Sequence, residues 1–106
     1  MKKTAFATAC ALVLAGCAHV TTHHASLSAM ASARLNQAAI AVKDARVHGA
    51  LWLATPHLLA VARTADTQGH YGAAIKAANT VILQCQTAER QAVANAHAKP
   101  YYPPLA

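Results

Sequence analysis

The sequence predicts an all-α protein: an antiparallel two-helix hairpin with a long first helix, preceded by a lipoprotein signal peptide. Three observations carry that prediction. Ala supplies 29 of the 106 residues, and Ala is the strongest helix former. Small and apolar residues recur three and four apart along two stretches, which is the period of a helix face. Between those stretches lies Thr67-Gln68-Gly69-His70, where Gly69 can take the left-handed conformation that closes a helix. The expected organisation is a signal peptide over residues 1–16, a flexible tether over 17–26, the hairpin over 27–98 and a Pro/Tyr tail over 99–106.

Met1-Lys2-Lys3 is a positively charged start, and Thr4 to Leu14 is a short, mostly apolar run. That run is well under the roughly 20 apolar residues a permanent bilayer span needs, so it reads as a secretion leader. It ends in Leu14-Ala15-Gly16-Cys17, which resembles the lipobox of bacterial lipoproteins. The resemblance implies lipidation of the Cys17 sulfur, removal of residues 1–16 and a membrane anchor of several acyl chains, palmitate among them, stable where one chain is marginal. Ala18, rather than Asp, follows the Cys. In such lipoproteins this implies a periplasmic protein held in the inner leaflet of the outer membrane. Cys10 leaves with the leader and Cys17 is acylated, so Cys85 is left as a single thiol without an internal partner. Cys85 is expected to be a small apolar residue on the inner face of the second helix.

Residues 18–26 carry His19, His23 and His24 with little apolar content, and read as a solvated tether rather than a metal site. The first helix should begin near Ser26 or Ser28, since Ser is a good N-cap. Its stripe is Leu27, Ala31, Leu35, Ala38, Val42, Ala45, Gly49 and Trp52. Gly49 within that stripe suggests close approach by the second helix, and Trp52 suggests a bulky core plug. Thr55-Pro56 can bend one continuous helix ending near Ala65 to Gln68, or restart a new one with Pro in its first turn; the bend is the expectation. The second helix should run from Tyr71 to about Ala98, with Ala74, Ile75, Ala78, Val81, Ile82, Cys85, Ala88 and Ala92 along one side, and stop before Pro100. Tyr101-Tyr102-Pro103-Pro104 then cannot be helical.

Composition limits what such a chain can do. Net charge is +6, or +4 once Lys2 and Lys3 are set aside. The remaining cations are scattered singly and do not form the stripe that nucleic acid requires. Asp44, Asp66 and Glu89 are too dispersed for paired-carboxylate chemistry, and neither a haem-attachment motif nor zinc-ligand spacing occurs. No enzyme activity, cofactor or metal is therefore expected. Large apolar residues are few, so two Ala-lined helices enclose a stripe rather than a core. A domain of this size is marginal alone, which points to a protein partner or to self-association.

The order Trp52, Thr55, Leu58-Leu59, Ala62, Gly69-x-Tyr71, Ala74-Ile75, Ala78, Gln84, Ala88, Gln91 and Pro100-Tyr101-Tyr102-Pro103 resembles the family of SoxXA-binding proteins. The resemblance covers about residues 45 to 103. It implies a small, non-catalytic periplasmic helical protein that binds SoxXA, a c-type cytochrome of the bacterial thiosulfate-oxidising system. It carries over Trp52, Tyr71, Tyr101 and Tyr102 as partner-binding positions. The alternative is a structural envelope lipoprotein that packs against other envelope proteins with no link to sulfur oxidation.

Overall fold

The computed structural model describes the backbone at residues 7–100 and 103–105, with side chains from residue 23 onward within that span. The protein is all-α. It has three helices, α1 (Ala7–Val47), α2 (Thr55–Thr67) and α3 (Tyr71–Ala94), and the described residues contain no strand.

The expected single first helix is two helices, and Gly49 is the reason. Its φ is +65°, and the backbone around it closes α1 with a paired motif. Ala50 N–H donates to Ala45 C=O at 2.8 Å, and Gly49 N–H donates to Arg46 C=O at 3.1 Å. These are the two hydrogen bonds of a Schellman cap, which needs a left-handed residue at its centre. A Cβ built on Gly49 would meet nothing within 4 Å, so this Gly serves the turn and not a close helix contact. Thr55-Pro56 then restarts the chain. Pro56 lies in the first turn of α2, where its missing N–H costs no helix bond. Ala54 occupies the cap with no side-chain bond, and Leu58 N–H reaches its carbonyl at 3.1 Å.

The second turn repeats the first. Gly69 has φ +79°, His70 N–H donates to Ala65 C=O at 2.8 Å, and Gly69 N–H donates to Asp66 C=O at 3.0 Å. α3 starts at Tyr71 as expected and ends at Ala94, short of Ala98. Asn95 to Ala98 continue as turns, with Ala98 N–H donating to Asn95 C=O at 2.9 Å. At the other terminus α1 begins at Ala7, not at Ser26 or Ser28, and its backbone stays helical through residues 17–26, where a tether was expected. Nothing in 17–47 breaks a helix before Gly49, since this stretch contains neither Pro nor another Gly.

Cross-element contacts fix the directions. The His24 ring lies 4.9 Å from the Tyr71 ring, and His48 Nδ1 lies 3.5 Å from Glu89 Oε1. The two pairs ascend in the same order along both helices, so α1 and α3 run parallel. α2 runs back between the two turns, and its first residue, Thr55, meets Gln84 on α3. The result is an up-down-up bundle, and the long antiparallel hairpin expected from the sequence survives only as α2 against α3. α1 meets the start of α3 through His24, so residues 7–23, about 25 Å of helix, stand beyond the bundle.

The core follows a four-three spacing on every helix. It takes Ala31, Leu35, Ala38, Val42 and Ala45 from α1, Thr55, Leu59 and Ala62 from α2, and Ala74, Ala78, Val81, Cys85 and Ala88 from α3. That spacing is the seam of a coiled-coil-like packing. Eight of the thirteen buried apolar residues are Ala, so the helices approach closely but bury little area each. Trp52 does not plug this core: it sits in the loop between α1 and α2 and is 40% exposed.

Candidate protein-binding surface

Of the positions expected to bind a partner, the two described ones, Trp52 and Tyr71, do not converge. Trp52 lies in the loop after the Gly49 turn. Tyr71 opens α3, half-buried, with its ring tilted 57° against His24. The 13 residues of α2 separate these positions, about 20 Å of helix, so Trp52 and Tyr71 occupy opposite ends of the bundle. Tyr101 and Tyr102 lie outside the described residues. Cys17 falls on the projecting part of α1, where only the backbone is described.

Trp52, which the sequence places on the apolar stripe, has an apolar neighbour. Leu53 is 98% exposed. Together they form an apolar tip at the end of the bundle away from the start of α1. The signal that could have located it was Gly49: a left-handed residue there ends the stripe and carries everything up to Thr55 off the helix axis.

The loop bearing this tip is held on both sides of it: Leu51 packs against the core before it, and Thr55 is tied down after it. Thr55 is fully buried, and its Oγ1 donates to Gln84 Oε1 at 2.9 Å. Thr55 thus does not cap α2; it ties the first residue of α2 to the middle of α3. Thr55 N–H donates to Trp52 C=O at 3.1 Å, which folds the loop back on itself.

At the same end of the bundle, His48 and Glu89 join α1 to α3 across a partly exposed surface, where such a pair contributes little stability. A cleft of ≈ 500 Å³ is lined by Gln86, Glu89, Arg90, Val93 and Ala94. A second, of ≈ 380 Å³, adds His48, Ala92 and Ala96. A third, of ≈ 290 Å³, extends along Gln37, Ile40, Ala41 and Asp44 on α1 and Ile82, Cys85 and Gln86 on α3. All three share Glu89: the second and third lie in the groove between α1 and α3, and the first adjoins them along α3.

Cys85 sits at the floor of that groove at 2% exposure, the inner-face position expected for it. Burial, and then the Glu89 carboxylate one turn on, push its thiol above the usual 9.0. A thiol held neutral in this way is a poor nucleophile and a poor metal ligand. Among the described residues no three His, Cys, Asp or Glu side chains gather into a metal-binding group, and His23 and His24 are exposed on α1. No helix of the described residues is long and apolar enough to cross a membrane.

Comparison of the chain with known protein families, with curated proteins and with solved structures finds no match.

Proposed function

We propose that this chain is a non-catalytic, lipid-anchored protein of the bacterial periplasm, held at Cys17 in the outer membrane, that binds the SoxXA cytochrome and supports thiosulfate oxidation. The leader and Leu14-Ala15-Gly16-Cys17 support the anchor, and the residue order from Trp52 to Pro103 supports the partner. The observation that carries the reading is a separation. Thirty residues of continuous helix divide Cys17 from Val47, about 45 Å, and the exposed Trp52–Leu53 tip stands at the far end. α1 is then a stalk. Its lipidated start stays at the membrane, and its other end presents an apolar tip to a protein in the periplasm. The bundle is too thinly packed to shape a deep, closed active site, which fits a docking role.

Two measurements test this. Radiolabelled palmitate should enter the wild-type chain and not Cys17→Ala. The immobilised protein should retain purified SoxXA, and Trp52→Ala with Leu53→Ser should release it. Labelling without retention would leave the second reading, a structural envelope lipoprotein whose tip packs against another envelope protein.

A further inference from the structure

The α1/α3 groove is a long face of the bundle that none of the described helices covers, and we propose that a second copy of this chain covers it, in a two-fold pair whose axis runs along the helices. The proposal does not depend on the SoxXA reading.

Charge distribution selects a copy of the chain as the occupant. With Lys2 and Lys3 set aside the chain carries +4, so most of its surface repels another copy. The groove does not share that excess. Asp44 and Glu89 line it, Arg90 lines the adjoining cleft along α3, and Arg34 is tied to the lining residue Gln37 through a 2.9 Å bond from its guanidinium to Oε1. Two carboxylates and two guanidiniums balance there, while Lys43, Arg46, Arg63, Lys76 and Lys99 lie elsewhere against Asp66 alone. A face bearing both signs can complement itself across a two-fold axis, as an isologous interface must.

Geometry sets the sense of the pair. Because α1 and α3 are parallel, a two-fold axis along them places α1 of one copy opposite α3 of the other at the same height. Asp44 shares its cleft with Gln86 and Glu89, and Arg90 is the next residue. Asp44 of each copy therefore faces Arg90 of the other, giving two equivalent cross pairs. Ile40, which is 60% exposed, and Val93, which is 78% exposed, fill the space between them. The parallel sense also leaves both N-terminal ends on the same side.

Area sets the strength. The groove follows α3 from Ile82 to its end at Ala94, about 18 Å, and two helices are about 20 Å wide. The face is then about 360 Å² per copy in projection, small beside the roughly 800 Å² per partner of a stable complex. The pair should be reversible, with dissociation in the micromolar range.

Sedimentation equilibrium of the purified full chain in density-matched detergent tests this. A monomer–dimer equilibrium is expected. Asp44→Arg alone and Arg90→Asp alone should each weaken it at least tenfold, and the two together should restore it, with helicity unchanged by circular dichroism. Should a charge reversal unfold the chain, Asp44→Asn and Arg90→Gln read the same contact. A monomer up to 100-fold above the micromolar range would overturn the proposal. So would a dimer indifferent to both single changes, or one abolished by Gln91→Asp on the opposite, exposed side of α3.

Discussion

The two turns of this molecule use one backbone solution, yet only one of them is plain in the sequence. At His48-Gly49-Ala50 and at Gln68-Gly69-His70 the glycine is left-handed, and the residue after it donates back five positions to a helical carbonyl. The difference lies in the chain just past each glycine. After Gly69 the next helix starts at Tyr71, whose ring is held against His24. After Gly49 a loop intervenes, and it leaves Trp52 and Leu53 facing outward before Thr55 anchors α2. A tight turn joins two packed helices; the looser one presents side chains.

The largest expected effect tests whether both turns depend on the same short helix. Leu59 is the one large apolar residue that α2 buries fully in the core. Leu59→Ala should cost about 3 kcal/mol, enough to lower the melting temperature by well over 10 °C in a domain of this size. Thermal unfolding followed by circular dichroism checks it. A loss confined to α2, with α1 and α3 still paired, would show that the two turns act independently.

The next effect compares the glycines directly. A Cβ at either would touch nothing within 4 Å, so the cost of Ala is backbone strain alone. Gly49→Ala and Gly69→Ala should each destabilise by about 1 to 2 kcal/mol, and by the same amount within about 0.5 kcal/mol. Urea midpoints of the two variants decide it. If Gly49→Ala instead raised helicity and stability, α1 would continue toward α2 as one bent helix, and the equivalence of the turns would be lost.

That alternative is the one the sequence itself suggests, and the reason is physical. Ala31, Leu35, Ala38, Val42 and Ala45 form a seam that is plain from spacing alone, and so do Ala74, Ala78, Val81, Cys85 and Ala88 on α3. Gly69 is legible because polar Gln68 and His70 flank it and interrupt the apolar period. Gly49 falls on the next beat of its stripe, and Trp52 on the beat after, so periodicity runs through a real helix end without a mark. The direction of α1 is hidden for the same reason: one missed turn reverses every element before it. Of the positions expected to bind a partner, Trp52 and Tyr71 are legible as residues, but the 13-residue helix that separates them depends on that missed turn. The α1/α3 groove is a product of the parallel pairing, and no local motif encodes it.

Cys85 reports on packing at the Gly49 end, since it lies one turn before Glu89, which meets His48. Its thiol is raised in the fold by burial first and by Glu89 second, above the 9.0 it has when exposed. Above pH 9 the unfolded chain therefore binds fewer protons than the folded one, so stability falls as pH rises through that value and is fully present below it. The wild type should lose stability relative to Cys85→Ala as pH rises through 9, as read by urea midpoints. Equal slopes would mean that water reaches the sulfur and that this end of the seam is open.

The smallest expected effect sets the two ends against each other at the surface. Tyr71 is half-buried with its ring on His24, so Tyr71→Ala removes contact within the fold and should cost about 1 kcal/mol. Leu53 is 98% exposed, and Leu53→Ser should change stability by less than about 0.5 kcal/mol. An exposed Leu beside an exposed Trp adds little to the fold, so the docking role proposed for this tip can be read apart from stability. Leu53→Ser should accordingly leave the unfolding curve in place while weakening retention of the partner on an affinity column. A shift of the curve as large as that of Tyr71→Ala would return Leu53 to the packing of the loop, and the contrast between a turn that packs and a turn that presents would fail.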